Sequence, residues 1–155
     1  MPEPLRDRLL EAVVTRLKGL TGTRPGGWRY PRDPIVTRTW TGIEQATQFP
    51  VLIVSVGSGS RPRIVATVGG QAMVEDRLHA VIYGYVRSEG GTPASRWLLR
   101  LQTDVIDTLY AEQTLGGLAR GVEFLEDETD DGVLEPLGAF AQHVAILADE
   151  TKTVG

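Results

Sequence analysis

Residues 49–56, FPVLIVSV, are apolar at every position but Ser55. The run is far too short to span a membrane as a helix, and the GSGS that follows at 57–60 stops any regular element. An apolar run without alternation reads as an interior strand covered on both faces. The remainder of the chain therefore has to supply neighbouring strands and a covering layer on each side.

Two stretches have the periodicity for a helical layer. Residues 4–20 set Leu5, Leu9, Val13, Leu17 and Leu20 on one stripe with Arg6, Arg8, Glu11, Arg16 and Lys18 off it, and Pro4 fits the first turn. Residues 93–113 carry a wider stripe of Trp97, Leu98, Leu101, Val105, Ile106 and Leu109; Thr92 is the expected N-cap, Pro93 the first helical residue and Gly116–Gly117 the stop. Strands are expected within 35–87: IVTRTW at 35–40, the run at 49–56, and 73–87. In the last of these Leu78, Ala80, Ile82 and Val86 share one face, and Arg77, His79, Val81, Tyr83 and Tyr85 the other. That second face is too aromatic to meet solvent alone and is expected to receive a helix or a neighbouring subunit.

Residues 57–72, bounded by glycines and carrying Arg61 and Arg63, read as a protruding hairpin or arm. A C-terminal β-hairpin is expected at 119–149, its strands at 119–126 and 138–148 joined by the acidic turn EDETDDG, with DETKTVG fraying beyond. The order gives a single α+β domain over 1–155: a mainly antiparallel, mixed β-sheet flanked by two α-helices, with long Gly/Pro-rich loops or arms. The longest of these, 21–34, holds three glycines and three prolines in fourteen residues, too broken for a helix or central strand. It also carries Arg24, Trp28, Arg29, Tyr30 and Arg32, the composition of a binding hot spot. Such a segment either clasps a partner or folds back over a core edge.

Charge narrows the function classes. The net −4 is a residual: residues 1–40 hold eight Lys or Arg against four Asp or Glu, residues 41–100 six against four, and residues 101–155 two against twelve, or +4, +2 and −10. Opposed charge within one domain suits head-to-tail contact between copies. Lys18 and Lys152 are the only lysines, and arginine favours specific carboxylate contacts. A pI near 5.2 runs against a nucleic-acid footprint. Zero cysteines among 155 residues exclude zinc ribbons, thiol catalysis and disulfide scaffolds, and a chain of this length needs no such staple. MPEPLRDRLLEAVV carries charge where a signal peptide needs an apolar stretch, and no window approaches membrane-spanning length, so a soluble protein without a membrane partner is expected.

No motif supplies catalysis. GSGS follows a strong strand, but neither a helix nor GK[ST] comes next, so it reads as a turn and not a phosphate loop. Asp127, Thr129, Asp131 and Gly132 open like a calcium loop, yet its twelfth position is Gly138 where a bidentate Glu is needed. His79 and His143 sit singly in strands without metal-pair spacing and read as structural. Asp104 and Asp107 share a helix face as solubilising acids do. No catalytic, cofactor-binding or metal-binding residue is assigned. Glu126, Asp127, Glu128, Asp130 and Asp131 are candidate acidic contacts for the arginines of another copy.

One resemblance gathers these features. The helix PLRDRLLEAVVTRLKGL, the phrase FPVLIVSVG, the strand ending VIYGYVRS, the helix SRWLLRLQTDVIDTLY, and a final acidic turn with AFAQHVAILA together resemble the tail terminator, or tail-completion, proteins of long-tailed bacteriophages and related gene transfer agents. The likeness covers most of residues 4–149 through element order and hydrophobic phrasing. It implies a small α+β virion protein forming a homo-hexameric ring on the head-proximal end of the tail tube. Such a ring stops polymerisation of the tube, meets the head–tail connector, and lets DNA through its lumen without specific binding. The partners implied are other copies, the major tail tube protein and the connector or neck protein, with assembly in the host cytoplasm. A neck, head–tail joining or other minor tail protein is the near alternative, and a DNA-binding regulator or small enzyme the distant one.

Overall fold

The computed structural model describes residues 4–20 and 28–153; Arg24 and the rest of 21–27 lie outside the described residues. The described residues form two α-helices, α1 (Leu5–Leu17) and α2 (Ala94–Ala111), and six strands: β1 (Ile35–Thr37), β2 (Val51–Val56), β3 (Arg61–Val68), β4 (Gln71–Arg87), β5 (Gly121–Thr129) and β6 (Leu137–Thr153). It is an α+β fold with one mixed, mostly antiparallel sheet in the order β1-β2-β4-β6-β5, and β3 also on β4.

The spine of the sheet is β4 and β6, each 17 residues long and paired from Gln71↔Thr153 to Arg87↔Leu137. Along the other side of β4 run β2 and β3 in tandem, Val51–Val56 opposite Tyr85–Ala80 and Arg61–Val68 opposite Arg77–Gln71. Residues 57–60 are the break between them. The strong strand is thus interior, flanked by β4 and by β1, which pairs with it in parallel. The end of the sheet made of β3, the start of β4 and the end of β6 forms a three-stranded tongue in which every β3 residue is exposed.

Alternation puts even-numbered β4 residues under the helices. Leu78, Ala80, Ile82 and Val86 join Leu52, Val54, Val144 and Ile146 beneath Leu9, Leu10, Val13 and Leu17 of α1 and Leu101, Val105 and Leu109 of α2. Full burial of one such aliphatic side chain is worth about 1.5–3 kcal/mol. Gly84 lies opposite Phe140 on this face, and a Cβ at Gly84 would stand 2.2 Å from the Phe140 ring. The other face carries a second cluster of Phe49, Val51, Ile53 and Tyr85, closed by Ile43 and Ala46. The aromatic face of β4 is therefore met by the chain's own 38–50 segment, Trp40 standing edge-on to Tyr83 at 4.8 Å.

Several boundaries depart from the sequence reading. The 35–40 strand stops at Thr37, where Thr37 Oγ1 accepts the Thr39 N–H at 3.0 Å and Arg38 swings to Asp7 and Glu11 of α1 at 2.6 and 3.0 Å. Helix α2 starts at Ala94 with Pro93 as N-cap residue, and Ser88 Oγ, not Thr92, accepts the Ala94 N–H at 2.9 Å. The acidic EDETDDG is half strand, since β5 runs to Thr129 and the turn falls at 130–136. Asp130 organises that turn by accepting the N–H groups of Leu134 and Ala139 at 3.1 and 3.2 Å. Residues 149–153, expected to fray, are the last rungs of β6, because the early residues of β4 offer them a ladder partner.

Candidate functional site

The candidate interface residues fall into four places. Trp28 and Tyr30 fold back: both Trp28 Nε1, at 3.1 Å, and the Tyr30 hydroxyl donate to Asp104 Oδ2 on α2. Asp104 is 2% exposed, so this helix acid is a buried anchor and not a solubilising charge. Arg29 stays exposed nearby. Arg32 donates to the Phe49 carbonyl at 2.8 Å and pairs with Glu89 at 2.7 Å, tying the same segment to the β4–α2 connection. The Arg32 guanidinium draws the Glu89 carboxyl below its ordinary range. Tyr83 and Tyr85 are held within the second cluster. The Tyr85 hydroxyl donates to the Thr41 carbonyl at 2.8 Å, and burial pushes its pKa up.

Arg61 and Arg63 lie on β3, one free edge of the sheet. Beside them Ile64, Val65 and Val68 are exposed, Ile64 at 66% and Val68 at 77%. Among the described residues β3 pairs only with β4. Pro62 lacks an N–H and the register shifts between Ile64 and Ala66, so the outer ladder of this edge is interrupted.

The acidic residues lie on β5, at the opposite edge of the sheet. Glu123, Glu126, Asp127 and Glu128 fall in its nine residues without one Lys or Arg. A bulge governs where they point. Phe124 pairs with Val144 and Asp127 with Gln142, so Leu125 and Glu126 both stand opposite the single residue His143. The extra residue puts Asp127 on the helix side, where it accepts from Gln102 Nε2 at 2.6 Å, and turns Glu126 and Glu128 to the open face. Asp130 and Asp131 belong to the following turn, where Asp131 at φ +53° accepts from Thr129 Oγ1 at 3.0 Å.

On that open face the two histidines meet. His79 Nε2 and His143 Nδ1 are 2.9 Å apart, the rings tilted at 35°, so two histidines that sit singly along the chain are neighbours in the sheet. GSGS is their support: Ser60 Oγ accepts the His79 N–H at 2.9 Å, and His79 Nδ1 lies against the Ser58 carbonyl. A Cβ at Gly57 would come within 2.7 Å of His79 Nδ1, so the glycine leaves room for the ring. Sequence spacing could not show this pair, which the β4–β6 register brings together from 64 residues apart.

No helix among the described residues is long and apolar enough to cross a membrane. No protein-family model matches the chain, and no curated protein matches it in sequence.

Proposed function

We propose that the chain is a structural assembly protein, a phage-type tail terminator whose copies close into a ring, hexameric by the resemblance, on the end of a tail tube. The observation that carries this reading is the pair of opposed sheet edges. One edge, β3, presents Arg61 and Arg63 among exposed aliphatic side chains; the other, β5, presents Glu126 and Glu128 with Leu125. A head-to-tail ring needs two different, complementary surfaces on each subunit, and opposite charge selects the correct pairing and speeds encounter. Exposed apolar side chains gathered on an edge strand are what a neighbour covers.

In this account the ring works by shape. It stops growth of the tube, offers its other side to the head–tail connector, and lets DNA pass without binding it, with no catalytic step. The test adds purified chain to growing tail tubes and images them. Capped ends and tubes of arrested length support the reading, whereas a chain that ignores tubes and retards a DNA fragment contradicts it.

A further inference from the structure

We propose that Glu126, Glu128 and His143 form a binding site for one divalent first-row transition ion, with zinc as the representative. The inference does not rest on the ring reading, although Glu126 and Glu128 also belong to the acidic edge on which that reading draws, and its test is made on the chain alone.

The site begins at Ser58, whose carbonyl can only accept. His79 Nδ1 beside it therefore carries the hydrogen and donates. In the neutral ring that leaves a lone pair on His79 Nε2, which accepts from His143 Nδ1 at 2.9 Å. With His143 also in its neutral form, its remaining nitrogen, Nε2, holds a lone pair 3.6 Å from Glu128 Oε1. A lone pair facing a carboxylate is unfavourable until a proton or a metal ion stands between them, and at a pH where the ring is neutral the position is open to a metal ion. A metal-bound imidazole whose other nitrogen donates to a fixed acceptor is the usual arrangement around such ions, because the acceptor sets the tautomer and strengthens the ligand.

The carboxylates complete the donor set. Ligand atoms of Glu126, Glu128 and His143 lie within 4.8 Å of one another. Donors on one ion with bonds of about 2.0–2.2 Å sit about 3–3.5 Å apart, so the site closes by a small rotation of two exposed glutamates. The β5 bulge is what points both of them at His143. Their neighbours on the same face are neutralised by arginine: Glu123 by Arg77 at 3.2 Å, and Glu75 by Arg120 and Arg63. Among the described residues no Lys or Arg pairs with Glu126 or Glu128, and Glu128 has only His143. One imidazole nitrogen with two carboxylates suits zinc, cobalt, nickel or manganese, with water in the positions left open.

Chelator-treated full-length chain is titrated with Co²⁺, read by visible absorption, and with Zn²⁺ by calorimetry, at pH 8. The expected result is one ion per chain, with the ¹⁵N resonance of His143 Nε2 shifting and that of His79 Nδ1 staying in place. His143→Ala and the doubly substituted E126Q/E128Q each weaken binding by at least about tenfold, and His79→Gln, acting through His143, by about tenfold or more. The glutamate variants alter exposed side chains, so an unchanged circular dichroism spectrum separates lost ligands from a lost fold. Saturation absent up to about 1 mM, affinity unchanged in E126Q/E128Q, or a His143 that only exchanges a proton with Glu128 and ignores metal would each overturn the site.

Discussion

Asp104, 2% exposed, accepts from two aromatic donors that belong to a segment 74 and 76 residues away in sequence. Removing it takes this acceptor from the Tyr30 hydroxyl and the Trp28 N–H, so Asp104→Ala should cost about 2–3 kcal/mol in urea unfolding. Asp107→Ala, one helical turn on and exposed, should change it by less than about 0.5 kcal/mol. The two acids look alike in the sequence, because what separates them is a fold-back over the helix and not anything in the helix itself. Arg32 and Glu89 give a second handle. Since Arg32 depresses the Glu89 carboxyl in the folded state, the pair's contribution is present above the ordinary glutamate value of about 4.3 and is lost as pH falls through the lower folded value. Urea midpoints of the native chain and Glu89→Gln should therefore differ at pH 6 and converge towards pH 3. A gap independent of pH would remove the pair from the account.

At the scale of elements, periodicity and turn chemistry carried much of the fold into view. The two amphipathic stripes, the interior strand at 49–56 and the glycine-bounded hairpin all became elements, within a few residues of the expected ends. What stayed hidden depends on partners. Residues 149–153 look like a frayed tail until β4 is seen to extend beside them, and the bulge that re-aims Glu126 and Glu128 exists only in the register of β5 on β6. The histidine pair was hidden for the same reason. Gly84 shows how register constrains a residue: its missing Cβ is the space filled by Phe140. Gly84→Ala should destabilise the domain by about 1–3 kcal/mol through overpacking. Combining it with Phe140→Leu should recover part of that loss, and simple addition of the two costs would show that they do not share the space.

Across the whole molecule, folding redistributes the charge seen along the chain. Several arginines of the basic first half are spent internally: Arg6 on Asp76, Arg38 on Asp7 and Glu11, Arg32 on Glu89. Part of the opposition that is left sits on two edges of one sheet, Arg61 of β3 with the largely exposed Arg63, which also reaches Glu75, against Glu126 and Glu128 of β5. Contacts between such edges weaken as salt shortens the screening length, about 8 Å near physiological ionic strength and about 3 Å at 1 M. Assembly should therefore be favoured by low salt and blocked by R61E/R63E on β3. The mass of the purified chain in solution across a concentration series, with images of the species formed, tests the central claim most directly. The account predicts closed rings of one size that R61E/R63E reduces to folded monomers. A native chain that stays monomeric at every concentration and leaves tail tubes uncapped, or rings indifferent to R61E/R63E, would contradict it.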